Sequence, residues 1–301
     1  MATHPSGEQY EITADEHRAV VTEVGGTLRT YEVGGREVVR GFGVEEVVRG
    51  GRGQQLLPWP NRIRDGRYPF AGKEQQLALS EPARHNASHG LVRWVPWDLQ
   101  EHTPDSVTQR VRVFPQPGWP GAIEARLTHT VGPSGLTVDL HVRNIGATAV
   151  PFGYAAHPYL SVGETVVDDV SLSVPADTYL EVDERLLPTA LHPVDGSPYD
   201  LRSGTPIGDR NLDTALTGLT RAGDDRWRVR AERGDRWAEL WAGPGLDWVQ
   251  IFTGGPYRDI SIAVEPMTCG PNAFNPGPTH DGMITLEAGA AFSCSWGVRG
   301  G

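Results

Sequence analysis

An all-β fold, built as one large antiparallel β-sandwich, is the class this sequence predicts, and three observations carry the prediction. Apolar and polar residues alternate over short runs at many points, the period of a strand with one buried face. The 301 residues include 37 Gly and 24 Pro, enough for many turns and few long helices. Helical periodicity is weak throughout and reaches at most a turn or two, in "LDTALTGL" at 212 to 219, so a βαβ sheet is disfavoured.

Each element follows in chain order. From Tyr10, "YEITADEHRAVVTEVGGTLRTYEVGGREVVRG" reads as short strands joined by Gly-Gly turns at 25 to 26 and 34 to 35, where glycine supplies positive φ. The segment 59 to 94 is the most loop-like part of the chain. A strand follows at 106 to 114. The clearest hairpin joins "AIEARLTHTV" to "LTVDLHVRN" through the turn-rich "GPSG" of 132 to 135, with Leu136, Val138, Leu140 and Val142 on one face. Further strands are expected at 170 to 174, 226 to 232, 237 to 243, 247 to 254 and 291 to 299. No fixed-period repeat or linker interrupts the series, so residues 1 to 301 are read as a single domain.

Composition narrows the function classes. A formal charge of −11 opposes nucleic acid and anionic membranes as partners. No apolar run approaches the roughly 18 residues of a membrane span. Cys269 and Cys294 are too few for a disulfide framework, and "MATHPSGEQYEI" has neither a basic nor an apolar leader region, so a cytoplasmic setting is expected.

Two titratable residues stand immediately before prolines. In "ISIAVEPMTCGPNAFNPG", residues 260 to 277, Ile260, Ile262 and Val264 occupy one face. Asp259, Ser261, Ala263 and Glu265 occupy the other, so Glu265 is expected to end a half-buried strand on its polar face. Pro266 holds it extended and supplies no amide to continue the ladder. In "VPFGYAAHPYLSVG", residues 150 to 163, His157 is held likewise by Pro158. Histidine suits proton transfer near neutrality, and a glutamate raised by burial can be its partner base. The plainer alternatives are a solvated glutamate and a hydrogen-bonded structural histidine.

In the loop-like segment, Asn61 and Arg62 form a polar pair and "NASHG" sets His89 in a turn. His85 and His89 have the spacing of a helical metal pair, but Pro82, Asn86 and Gly90 oppose a helix, and no metal site is expected.

Taken together, Asn61-Arg62, "FAGKEQQL", "NASHG", "HPY" at 157 to 159, "NLD" at 211 to 213 and "VEP...PNAFNPG" resemble the aldose 1-epimerase (galactose mutarotase) family. The elements run in order from about residue 55 to 290. The resemblance implies a galactose mutarotase-like β-supersandwich with a reducing sugar bound in a cleft and no cofactor; whether the chain is a monomer or homodimer stays open. It implies Glu265 as catalytic base, His157 as acid and His89 as a second active-site histidine. It also implies sugar contacts from Arg62, Asp213 and, with Asn61 beside them, Gln250. As plain sequence, Asp213 suits a turn or helix cap equally, and Gln250 an outward strand position. "HGLVRW" stands where many members read His-Gly-Gly, and "EPMTCGPNAF" replaces a Pro-Gln-Thr run, which points to a less-characterised bacterial branch.

Two other functions stay open at this stage. Arg62, Arg64, Arg67, Lys73, Arg84 and Arg93 outnumber Asp65, Glu74 and Glu81, which suits a phosphorylated or other anionic sugar. A non-catalytic carbohydrate-binding protein would keep Arg62 and Asp213 but not need Glu265 with His157. A glycosidase is disfavoured, because no second carboxylate stands beside Glu265 in the sequence. Trp94, Trp97 and Trp119 are the tryptophans available to stack on a sugar, and none is singled out.

Overall fold

The structure is a computed structural model and describes residues 3–163, 166–254 and 261–301. Two large antiparallel sheets dominate. The twelve-stranded sheet runs Gln9–Ala14, His17–Thr22, Leu28–Val33, Arg36–Val39, Tyr159–Leu160, Ile262–Met267, Trp248–Phe252, Asp213–Leu219, Ala176–Val182 and Pro188–Pro193, with Gln55–Leu56 and Ala155–Ala156 attached. The nine-stranded sheet runs Asp98–His102, Ser106–Val113, Ile123–Gly132, Gly135–Asn144, Ala291–Gly300, Arg236–Ala242, Trp227–Arg233, Ser171–Ser173 and Thr205–Pro206. Alternate side chains point to one face of a strand. Val249, Ile251 and Val264 of the first sheet therefore meet Leu127, Val138, Leu140 and Trp296 of the second in one continuous core.

The turn chemistry is placed where glycine permits it. Gly25, Gly26, Gly34 and Gly35 all have positive φ at the connections of the first four strands. The hairpin Ile123–Gly132 with Gly135–Asn144 closes on the pair Gly132 and Gly135, leaving Pro133 and Ser134 as the turn.

Three expectations are corrected. "LDTALTGL" forms the strand Asp213–Leu219 rather than a helical turn. Leu212 and Leu216 go to the main core and Ala215 to the opposite face, a period of two that Thr214 hides among the apolar residues. The strand carrying Glu265 is not half-buried: all six residues of Ile262–Met267 are buried. It also does not end at Glu265 but continues through Pro266 to Met267, while Asp259 and Ile260 lie outside the described residues. Finally, the loop-like segment contains two small antiparallel pairs, Arg62–Arg64 with Asn86–Ser88 and Arg67–Phe70 with Lys73–Gln76.

Candidate active site

Strand register builds the floor of the site. Ala155 lies opposite Met267 and Tyr159 opposite Ala263, so the register between them sets His157 against Glu265. On its other side Glu265 is paired with Gln250. Residues directly opposite share a face of the sheet, which aligns His157, Glu265 and Gln250 as a polar row. Asp213, in register with Phe252, joins the row diagonally. Ala155, Met267 and Trp248 cover one edge of the row, and Tyr159, Ala263 and Phe252 the other.

The two prolines have a role here that differs from the expected one. His157 and Pro158 interrupt the strand between Ala155–Ala156 and Tyr159–Leu160. The His157 backbone bonds outward instead, its N–H donating to Gln54 O at 3.1 Å and its carbonyl accepting from Gly53 N at 2.9 Å. Facing this interruption, Val264 and Thr268 donate to Pro158 and Tyr154 at 3.1 and 2.9 Å. Pro266 stands between those two donors, so its missing N–H falls where the neighbouring strand is broken. That placement is where a proline inside a central strand disturbs the ladder least.

The walls come from the small pair Arg62–Arg64 and Asn86–Ser88. Asn61 and His89 flank it in left-handed conformations, with φ of 51° and 62°, and His89 N–H donates to Asn61 O at 2.8 Å. From there a polar chain crosses the cleft. Glu81 receives Arg62 in two bonds of 2.8 and 3.1 Å, and Arg62 Nη1 donates to Asn61 Oδ1 at 3.1 Å. Asn61 Nδ2 donates to Gln250 Oε1 at 3.4 Å, and Gln250 Nε2 to Asp213 Oδ1 at 2.7 Å. Each amide is thereby oriented, because its oxygen accepts on one side while its nitrogen donates on the other.

At the centre, His157 Nε2 lies 3.2 Å from Glu265 Oε1, with side chains 8% and 4% exposed. Tyr159 stacks on the imidazole at 5.2 Å, and His89 meets it edge-on at 5.8 Å. Gly51, with φ +72°, lies so close that a Cβ would come within 2.7 Å of His157 Cδ2. Burial pushes the Glu265 carboxyl well up, and the charge of Asp213 adds to this. Burial pushes the His157 imidazole down, and Arg93 adds to this. Both shifts favour the neutral forms of the two groups. His89 is likewise held down by burial, then by Arg93 and His157. Asp213 is raised by burial, against the pull of Arg62. Glu265 Oε2, His157 Nδ1 and His89 Nδ1 are buried and find no hydrogen-bond partner among the described residues.

All seven residues singled out in the sequence, Asn61, Arg62, His89, His157, Asp213, Gln250 and Glu265, line one cleft of about 310 Å³. That volume is at the small end of ligand sites, which span roughly 300–1,000 Å³. Arg93, Tyr159, Phe252, Ser80 and Ser88 line it too and were not nominated. Tyr159 and Phe252 were within reach of the period of two, each lying two residues from a nominated side chain. Ser80 and Ser88 carry no such signal. Trp97 and Trp119 are core residues and Trp94 is 54% exposed; among the described residues the cleft is lined by the aromatic rings of Tyr159 and Phe252. His85 bonds Asp65 at 2.8 Å on the exposed side, away from His89. The absence of a second carboxylate is also corrected: Asp213 lines the same cleft two strands from Glu265, its Oδ1 taken by Gln250. A groove of about 500 Å³ around Arg18, Glu37 and Arg52 lies elsewhere, and its charges largely pair with each other, as Arg40 with Glu37 and Arg18 with Glu32.

A buried carboxyl–imidazole pair on a sandwich face, walled by sugar-sized polar contacts, defines a class that sequence comparison makes specific. The family model for aldose 1-epimerase matches residues 8–296, and the chain belongs to that family of carbohydrate-acting isomerases. Among its relatives is the uncharacterized protein YihR of Escherichia coli K12, 31% identical over 298 residues, covering 99% of this chain and 94% of that protein. Human galactose mutarotase is 29% identical over 237 residues, covering 71% of this chain and 67% of its own. A galactose mutarotase-like protein from Clostridium acetobutylicum shares the fold, with a TM-score of 0.87 at 16% identity, covering 97% of this chain and 94% of that one.

Proposed function

We propose that the protein is an aldose 1-epimerase that interconverts the α and β anomers of an aldohexose by opening and reclosing the pyranose ring. The observation that carries this reading is the 3.2 Å contact between His157 and Glu265 on the cleft floor. In an aldopyranose the C1 hydroxyl oxygen and the ring oxygen share one carbon, so an adjacent acid and base reach both at once. Glu265 as carboxylate takes the C1 hydroxyl proton while His157 as imidazolium gives its proton to the ring oxygen. The C1–O5 bond breaks and C1 becomes the aldehyde carbon. Rotation about C1–C2 presents the other carbonyl face, and the same two transfers in reverse close the ring.

The proton count suits this cycle. Ring opening leaves Glu265 protonated and His157 neutral, the very state that burial favours in the cleft. The open-chain stage is therefore not penalised by charge buried on either group. Each positioned proton transfer contributes typically about 10²- to 10⁴-fold. Asp213, Gln250, Asn61 and Arg62 are the hydroxyl-holding wall, and Tyr159 and Phe252 offer apolar faces to the ring's C–H surfaces. His89, edge-on to His157, positions that imidazole and presents its own ring to the sugar. A glycosidase fits less well, since the group facing Glu265 is the His157 imidazole and Asp213 Oδ1 is taken by Gln250.

Polarimetry of freshly dissolved α-glucose and α-galactose tests the proposal. Wild type should accelerate the drift to equilibrium rotation, and Glu265→Gln should lose that acceleration. Equal rates for both proteins would instead support a carbohydrate-binding protein without catalysis.

A further inference from the structure

Arg93 stands apart from the other basic residues of the segment 59 to 94. Arg62 and Arg84 are both bound by Glu81, Arg67 donates to Gln76, and among the described arginines and lysines only Arg62 and Arg93 line the cleft. The Arg93 guanidinium is half-buried, yet among the described residues no carboxylate or hydrogen-bond acceptor engages it. The Trp94 ring lies 5.6 Å from it and holds it by its face. A partly desolvated guanidinium without an acceptor is unfavourable, and the fork of donors it presents matches a planar or tetrahedral oxyanion.

Position in the cleft says where that oxyanion belongs on the ligand. Gln54 ties Arg93 to the His157 end of the cleft, its Nε2 donating to Arg93 O at 3.1 Å and its carbonyl accepting from His157 N–H at 3.1 Å. Glu265 lies beyond His157, in register with Gln250, whose Nε2 donates to Asp213. The cleft order is thus Arg93, His157, Glu265, then the Gln250, Asp213 and Arg62 wall. A pyranose laid along it places its ring oxygen at His157 and its C1 hydroxyl at Glu265. C2 and C3 then fall toward Asp213, and C5 with its C6 substituent toward Arg93.

We propose that Arg93 determines specificity, and that the preferred substrate class is an aldohexose carrying an oxyanion at C6. This rests on the epimerase reading and refines it. Asp213 stands toward the opposite end of the cleft, where Arg62 is already bound by Glu81, so that end disfavours such a group binding in reverse. Binding has a second consequence. An oxyanion on Arg93 cancels the positive charge that disfavours protonation of His157, so the substrate itself eases formation of the imidazolium that opens the ring.

The test measures anomer exchange by NMR for glucose, glucose 6-phosphate, glucuronate and 6-deoxy-6-sulfoglucose, with wild type, Arg93→Gln and Arg93→Lys. Wild type should show a higher kcat/KM for at least one C6-anionic sugar than for glucose, and the best of the three identifies the anion. Arg93→Gln should lower the ratio of anionic to neutral kcat/KM by about 10- to 100-fold, the worth of a charged hydrogen-bonded pair. Arg93→Lys should restore part of it. An unchanged ratio, with both rates falling alike, would mean that Arg93 acts only through the histidines and would overturn the proposal. So would a wild type that prefers glucose to all three anions. If no sugar is anomerised, the epimerase reading fails while the Arg93 site is still decided by titration calorimetry. In that case glucose 6-phosphate, glucuronate and 6-deoxy-6-sulfoglucose are titrated into wild type and Arg93→Gln, and equal affinities for both proteins would refute it.

Discussion

If Glu265 and His157 share one proton across 3.2 Å, their removals cannot be independent. Glu265→Gln and His157→Asn each delete one transfer and should each cost about 10²- to 10⁴-fold in kcat, equivalent to about 2.7–5.4 kcal/mol at 1.36 kcal/mol per decade. Independent groups would give a double variant slower by about 10⁴- to 10⁸-fold. A pair acting as one unit gives a double variant no slower than the worse single, because a lone acid or base facing the sugar has no partner to complete the cycle. Polarimetry with enzyme in graded amounts, corrected for spontaneous mutarotation, reads all four proteins. The same pairing sets the pH profile of the wild type. Activity falls on the acid side when His157 gains a second proton for the pair, and burial holds that event below the usual imidazole range. It falls on the alkaline side when Glu265 loses the only proton, and burial holds that event above the usual carboxylate range. The profile should therefore be a broad plateau. Multiplicative losses in the double variant, or a single sharp optimum, would refute the shared-proton argument.

Three further outcomes are expected. Glu265 has a raised folded-state pKa, so its contribution to stability is present below the unfolded carboxylate value and lost as pH rises through the folded one. Glu265→Gln should accordingly be more thermostable than wild type at alkaline pH, and calorimetric Tm at pH 6 and pH 8.5 checks that its alkaline decline is smaller. His129 is fully buried, neither ring nitrogen finds a partner among the described residues, and burial lowers its pKa to about 3. The unfolded state then takes up the proton first as pH falls below about 6.5, and by pH 5 this removes about 2 kcal/mol of stability. His129→Leu should abolish that share of the acid loss in urea titrations at pH 7 and pH 5. Gly51→Ala places a methyl against His157 in a left-handed backbone position, which should reduce both kcat and Tm, the backbone alone costing about 1–2 kcal/mol.

Much of the molecule was legible from residue order, because its signals are local. The alternation of Leu136, Val138, Leu140 and Val142, and the glycines at 25, 26, 34 and 35, are properties of neighbours along the chain, and they set strands and turns without reference to the rest of the fold. The chemical types at Glu265 and His157, each held extended by a following proline, were legible for the same reason. What lay beyond reach was every property that depends on what covers a strand. The face of Ile262–Met267 that carries Glu265 reads as polar and solvated, yet the segments around Gly51, Asn61 and His89 roof it over and make it a cleft floor. Register between distant strands alone decided that His157 opposes Glu265 rather than an apolar neighbour. Burial then decided the protonation of the pair, since the free energy of a charge depends on its surroundings in three dimensions and not on its place in the chain. Arg93 shows the same division: its presence in a basic segment was plain from composition, but its lack of a partner inside the cleft could be decided only once Glu81 had been seen to hold Arg62 and Arg84.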